Sequence, residues 1–277
     1  MKTICLIIAR GGSKRLYRKN VKLLCGKPLV EWAIIQARVA HLPIGIYLST
    51  DDDEIADIGY RNGIEVIRRP DWPEADLYAA NVPICHAIDE IKKQGIEFDT
   101  IVQLYGTAPC RHPDGIDKVI LRYAELRRIH PDIKELSGLI NPREMFISKK
   151  IDNGQAKCVI FSKNHEYLTD CAICPIADKD WYLETQSKLI YDSTLEDGTD
   201  QDIIDTTRIS GNSFYYILYK WYQEYDIDDL DSFELCEILM ERYVLKGRGE
   251  KVYWDYKKSE EVAVRGAMEE IEKGGDA

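Results

Sequence analysis

Apolar residues in the first half of the chain alternate between two periods. β-rich runs occur at TICLIIA (3–9), IGIYLST (44–50), IEVIRRP (64–70) and DTIVQLYG (99–106). The segments between them carry helical spacing. In PLVEWAIIQARVAH (28–41), Leu29, Trp32, Ala33, Ala37 and Ala40 recur on one face behind Pro28, a residue suited to a first helical turn. DDEIADIGYRNG (52–63) reads as a second helix stopped at Gly63, and Asn81–Gln94 as a third stopped at Gly95. HPDGIDKVILRYAELRRIH (112–130) reads as a fourth, opened by Pro113 and Asp114.

Strand–helix alternation on this scale predicts an α/β fold: an open, mostly parallel sheet with helices on both faces. In such sheets ligands sit beyond the carboxyl ends of the strands. The segments RGGSKR, STDDD, RRPDW and YGTAPCR follow those ends and are expected to line one crevice. The pattern weakens between Glu135 and Ile209, where short β-like runs (KCVIF, KLIYD) mix with turns and prolines. We read 138–209 as a smaller inserted subdomain within a domain spanning 1–257. The alternation returns with the strand SFYYILYKWY (213–222) and the amphipathic helix DSFELCEILMERYVL (231–245), and 258–277 reads as a charged tail.

Composition narrows the partners. With 277 residues, 45% hydrophobic and 31% charged, the chain can bury one sizeable core. A net charge of -11 argues against nucleic acid as a partner. No run reaches the roughly 18 apolar residues of a membrane helix, and the N-terminus lacks a small-residue cleavage pattern. The expectation is a soluble cytoplasmic chain with no membrane partner. Eight cysteines are too sparse for a disulfide scaffold, and the one C-x-x-C, Cys171–Cys174, has no second pair nearby, so reduced thiols are expected.

Against this acidic background, IARGGSKRLYRKN (8–20) stands out. Residues 1–30 contain no Asp or Glu, while Arg10, Lys14, Arg15, Arg18, Lys19, Lys22 and Lys27 crowd positions 10–27. A Gly-Gly pair after a strand lets the backbone approach a ligand and aim N–H groups at it, and flanking Lys and Arg suit phosphate oxygens. A flexible basic surface loop is the plainer alternative. The pattern is neither G-x-G-x-x-G nor a Walker A loop.

Asp226 and Asp228, in EYDIDDLDSFEL, lie on the same side of an extended segment and suit a magnesium ion bridging phosphates; equally, Asp228, Asp229 or Asp231 would serve as the cap of the next helix. Asp51–Asp53 present the same choice. Tyr105–Arg111 offers an acceptor pocket or merely a turn. The histidines show no ligand spacing.

IIARGGSKRLYRKN resembles the signature I-x-A-R-G-G-S-K-x-[IL]-x-x-K-N of the acylneuraminate (CMP-sialic acid type) cytidylyltransferases. GKPLVEWAI, YLSTDDDEIADIGYRNGIEVIRRP, GNSFYYI and DIDDLDSFELCE resemble later blocks of that family in the same order. The resemblance implies a glycosyltransferase-A-like nucleotidyltransferase that joins CMP from CTP to a small anionic ulosonic-acid acceptor with Mg²⁺ and releases pyrophosphate. Carried over, Arg10 and Lys14 would act on the triphosphate, with Gly11, Gly12, Ser13 and Arg15 around it and Asn20 and Arg69 at ribose and base. Asp226 and Asp228 would hold the metal. Tyr105, Thr107, Arg111 and Asn212 would face the acceptor, and 138–209 would make a homodimer.

The chain departs from the family where LYGTAPCR stands for L-Q-P-T-S-P-L-R, where Ser210 replaces an Arg, and where DLYAAN replaces a serine-bearing stretch. The first two changes concern the acceptor pocket; the third stands where the family supplies a ribose-contacting serine. A phosphonate or sugar phosphate acceptor is the close alternative. A glycosyltransferase using Asp51–Asp53 or Asp226–Asp228, or an inactive nucleotide-binding regulator, lies further off.

Overall fold

In a computed structural model of the chain, the described residues are 1–70, 72, 81–140, 145–150, 156–162, 169–171, 173–185 and 215–253. The strands in chain order are β1 (Thr3–Ile8), β2 (Leu23–Leu24), β3 (Lys27–Pro28), β4 (Gly45–Thr50), β5 (Glu65–Arg68), β6 (Thr100–Tyr105), β7 (Glu135–Ile140), β8 (Met145–Lys150), β9 (Ala156–Ser162), β10 (Thr169–Asp170), β11 (Ile176–Asp178) and β12 (Tyr215–Tyr219). The helices are α1 (Leu29–Arg38), α2 (Asp53–Arg61), α3 (Asn81–Lys93), α4 (Gly115–Ile129), α5 (Lys179–Thr185) and α6 (Leu230–Leu239). α6 runs on into a π-helical segment, Met240–Arg248.

The main sheet has the order β10-β7-β11-β6-β1-β4-β5, with β12 on the other edge of β7. β6, β1, β4 and β5 pair in parallel, as expected from the alternation. β11 is antiparallel to both β6 and β7, so β7 runs with the parallel set, and β12 joins it in parallel. Six strands therefore point one way, with β10 and β11 opposed. Within the irregular stretch, β8 and β9 form a separate antiparallel hairpin, whereas β10 and β11 return to the main sheet. The expected run KCVIF lies in β9; KLIYD and 258–277 fall outside the described residues.

Strand alternation sends side chains to two cores. Cys5 and Ile7 of β1 pack with α1, α2 and α4; Ile4 and Leu6 pack with α3 and α5 on the opposite face. α1 departs from the single apolar face expected of it. Val30, Ala33, Ile34 and Ala37 meet the sheet, while Leu29, Trp32 and Ile35 meet a third core built from Phe233, Cys236, Leu239, Met240 and Val244. Each of these large side chains adds roughly 2–3 kcal/mol of burial. The helix is thus clamped between the sheet and the C-terminal elements.

Two boundaries have local causes. β12 stops at Tyr219 because its partner β7 ends at the paired residue Ile140, and the chain turns through Trp221–Gln223 instead of extending to Tyr222. α6 begins where Asp229 accepts from the Ser232 amide at 2.9 Å and the Ser232 hydroxyl meets the Asp229 amide at 3.0 Å. No helix among the described residues is long and apolar enough to cross a membrane.

Candidate nucleotide and metal site

The basic loop leaves the carboxyl end of β1 and is tied to the turn after β4. The Gly11 amide donates to Asp51 Oδ1 at 3.0 Å. A Cβ on Gly11 would fall 2.3 Å from Asp52 Oδ2, so only glycine fits; at Gly12 nothing lies within 4 Å and the loop faces open space. Arg18, in the left-handed region at φ 50°, forks onto both Asp52 oxygens at 2.9 and 3.2 Å and reaches Glu54 at 2.6 Å. Asp52 also accepts from the Ile55 amide at 3.0 Å and caps α2. Burial pushes the Asp52 carboxyl up, but Arg18 and that amide outweigh it and hold it below the usual carboxylate range.

All three acidic residues after β4 are therefore committed to structure. Asp51 holds Gly11, Asp52 caps and holds Arg18, and Asp53 pairs with Arg68 at 2.6 Å. Arg10, Gly11, Gly12, Ser13 and Lys14 form one loop, with Gly12, Lys14 and Arg15 exposed. Beneath it Asn20 is 4% exposed and donates Nδ2 to the Arg10 carbonyl at 2.9 Å, while its Oδ1 has no partner. Arg69 is buried at the loop's root, with Nη2 3.4 Å from the Ala9 carbonyl and 3.6 Å from Asp51 Oδ2.

The carboxylate pair arrives from the other end of the chain. The Ile227 amide donates to the Thr107 carbonyl at 2.8 Å, and the Thr107 side chain hydrogen-bonds Asp226. Asp228 is paired with Lys19 at 3.2 Å and Arg15 at 3.0 Å. Burial pushes the Asp226 carboxyl above its ordinary value, against the pull of Thr107 and Lys19. Asp229 performs the capping, so neither Asp226 nor Asp228 is the cap of α6.

The residues fit a divalent cation only in part of its shell. No group of three or more His, Cys, Asp or Glu that could hold a metal occurs among the described residues. Two carboxylates, one buried and short of compensating charge, match magnesium completed by phosphate oxygens and water better than a cage made by protein alone.

The structure reassigns part of the expected acceptor set. Arg111 is 1% exposed; its Nε donates to the Ile173 carbonyl at 2.5 Å, Nη1 to Gln36 at 3.1 Å and Nη2 to the Tyr105 carbonyl at 2.7 Å. It braces the loop after β6 from inside the core. Thr107 turns to Asp226. Tyr105 ends β6 half-buried at the crevice, and Asn212, Arg208 and Ser210 lie outside the described residues. Cys171 and Cys174 are buried free thiols.

Lys19 received no individual role in the sequence reading, although it sits inside the basic motif. Its Nζ reaches the Ile227 carbonyl at 2.5 Å and, with Arg15, links the loop to the carboxylates.

Known proteins resemble the chain in sequence and in fold. The family model described as Cytidylyltransferase matches residues 4–197. The chain is 36% identical over 115 residues to a pseudaminic acid cytidylyltransferase of Campylobacter jejuni, covering 41% of this chain and 50% of that protein. It is 35% identical over 115 residues to N-acylneuraminate cytidylyltransferase A of Danio rerio, covering 42% and 26%. The matched stretch thus spans about half of the first relative and a quarter of the second. In fold, the chain is similar to a CMP:2-keto-3-deoxy-manno-octonic acid synthetase complexed with CTP, with TM-score 0.61, 16% identity, and coverage of 88% of this chain and 100% of that one.

Proposed function

The chain belongs to the cytidylyltransferase family, and from that premise we propose that it joins CMP from CTP to a sialic-acid-like nonulosonic acid and releases pyrophosphate. The observation that carries this reading is the meeting of the basic Gly-Gly loop with Asp226–Asp228 through Lys19 and Arg15. It unites a polyanion cradle with a carboxylate pair at the carboxyl ends of parallel strands, where a nucleotide triphosphate would lie.

Attack on the α-phosphorus requires that the leaving pyrophosphate be neutralised and the acceptor hydroxyl be held in line. Arg10 and Lys14 carry charge to the triphosphate, and the open backbone at Gly12 admits it closely. Asp226 and Asp228 would hold Mg²⁺, which when bound would offset phosphate charge and lower the pKa of an oxygen it binds. Thr107 orients Asp226, and Lys19 holds Asp228 against the loop. No protein side chain is required as general base.

The pseudaminic and N-acylneuraminate relatives support a nonulosonic acceptor. A second reading keeps CTP and changes the acceptor to a phosphonate or sugar phosphate. It is motivated by the stretch Tyr105–Arg111, where the chain departs from the family pattern. A glycosyltransferase reading loses support, because Asp51–Asp53 are consumed by Gly11, Arg18 and Arg68. The assembly is read as a cytoplasmic homodimer, testable by sedimentation.

The deciding experiment is pyrophosphate release from CTP and Mg²⁺ over a panel of nonulosonic acids, sugar phosphates and phosphonates. Release with a nonulosonic acid is expected. Release only with phosphorylated acceptors replaces the leading reading, and none with any acceptor removes both.

A further inference from the structure

Nine buried side-chain polar atoms lack a hydrogen-bond partner among the described residues. Two, Ser13 Oγ and Asn20 Oδ1, belong to the basic loop. Three more, Ser49 Oγ in β4, Arg69 Nε just after β5 and Gln103 Nε2 in β6, stand two positions after Tyr47, Ile67 and Ile101, which pack toward α3, and a fourth, His86 Nδ1, comes from α3 itself. An orphaned buried donor or acceptor costs about 1–3 kcal/mol, so several near one crevice point to a ligand that supplies the partners.

Two of these side chains, Arg69 and His86, flank the Trp72 ring. The Arg69 guanidinium carbon lies 5.9 Å from the centroid of the Trp72 ring. The Trp72 ring stands edge-on to His86, with centroids 5.6 Å apart and an interplanar angle of 87°. At its other end Arg69 faces Asp51, which already holds Gly11. A continuous line of contacts therefore runs from α3 through His86, Trp72, Arg69 and Asp51 to the phosphate loop.

The charge of Arg69 is balanced by Asp51, so the guanidinium has no need of a second anion. What it lacks is an acceptor for Nε. Beside an indole ring, a donor without a partner is best matched by the neutral carbonyl oxygen of a flat heterocycle, which gives the hydrogen bond and tolerates the aromatic wall.

We propose that Trp72, braced by His86, is a positioning residue for Arg69 and sets the chain's affinity for the nucleobase of its nucleotide separately from its affinity for the phosphates. This rests on the cytidylyltransferase reading. Arg10, Lys14 and the Gly-Gly backbone hold the triphosphate; Trp72 fixes the plane of the Arg69 guanidinium so that Nε meets a base carbonyl oxygen. Removing the indole leaves Arg69 tethered to Asp51 but free to swing about that pair.

The test is calorimetric titration of the full chain with CTP and, separately, with inorganic tripolyphosphate, both with Mg²⁺. Trp72→Ala should weaken CTP binding about tenfold and leave tripolyphosphate binding unchanged. Trp72→Phe should recover most of the loss, and His86→Ala should show a smaller loss in the same direction. In steady state, Trp72→Ala should raise KM for CTP with kcat retained. Tripolyphosphate binding doubles as the folding control, and Trp72→Leu keeps apolar bulk should the alanine variant not fold. Unchanged CTP binding in Trp72→Ala and Trp72→Leu overturns the proposal, as does an equal loss for both ligands, which would make Trp72 a mere prop of the loop. A wild-type chain that gains nothing from the cytidine moiety overturns the CTP reading itself, which is a separate result.

Discussion

Lys19 Nζ lies 3.2 Å from Asp228 Oδ1 and 2.5 Å from the Ile227 carbonyl oxygen, joining positions 209 residues apart in sequence. The contact sets the distance between the phosphate loop and the carboxylate pair. Lys19→Met should cut turnover about a hundredfold, because the contact that holds Asp228 and the phosphate loop in register is lost. Folding should change by only about 1 kcal/mol, since Asp228 is partly solvated and keeps Arg15. Turnover near the wild-type level would place the link outside the reaction.

Asp226 should show opposite effects on stability and activity. Its carboxyl is raised by burial, so the folded chain holds this proton more tightly than the unfolded chain does. Its contribution is complete below the ordinary carboxylate value and is lost as pH rises through the folded value. At neutral pH the ionised group burdens the fold. Asp226→Asn should therefore raise Tm by about 2–4 °C at pH 7, while Mg²⁺-dependent turnover disappears. A variant that melts lower, or that keeps turnover, contradicts this account.

The two loop glycines should fail in different ways. Gly11→Ala drives a methyl into Asp52, which cannot retreat because it caps α2 and holds Arg18. We expect a stability loss of about 1–3 kcal/mol by urea unfolding. Gly12→Ala meets nothing in the protein and should leave stability unchanged, but its methyl occupies space a triphosphate would use, so KM for CTP should rise. Equal stability losses in both variants would count against the geometry.

His112 gives the fold an acid sensitivity away from the crevice. Burial, reinforced by Arg248, lowers its pKa to about 4, and its Nε2 lies 2.6 Å from the Tyr222 hydroxyl. The unfolded chain binds this proton more readily, so stability is full above roughly pH 6.5 and is lost as pH falls toward 4. Between pH 7 and pH 5 the loss should be roughly 1–2 kcal/mol, and His112→Asn should flatten that slope. An unchanged slope in the variant would assign the acid sensitivity to other groups.

The parallel strands and α2 to α4 were legible because period and punctuation agree there: Gly63 and Gly95, both at positive φ, end helices where the spacing says they should. That one residue of Asp51–Asp53 and one of Asp228, Asp229 or Asp231 would cap a helix was legible, and the fold selects Asp52 and Asp229. β11 was not. Its three residues are a strand only because β6 and β7 hold them from both sides. The second apolar face of α1 was hidden for the same reason, since its partner α6 lies about 200 residues on. Lys19 and Arg111 show the limit most clearly. Arg111 looked like a ligand contact and Lys19 was one basic residue among several; only the fold reveals that Lys19 reaches Asp228 and that Arg111 is buried on Ile173 and Tyr105.

The clamping of α1 has a consequence for how the chain comes off the ribosome. The sheet face of α1 can be covered once β1, β4 and β6 have emerged, but Leu29, Trp32 and Ile35 must wait for Phe233, Cys236 and Leu239. Until then an apolar ridge of α1 would stay uncovered next to the basic Gly-Gly loop. Completion of the last helix would hide the ridge and deliver Asp226 and Asp228 in one event, so a half-made chain would be sticky before it could be active.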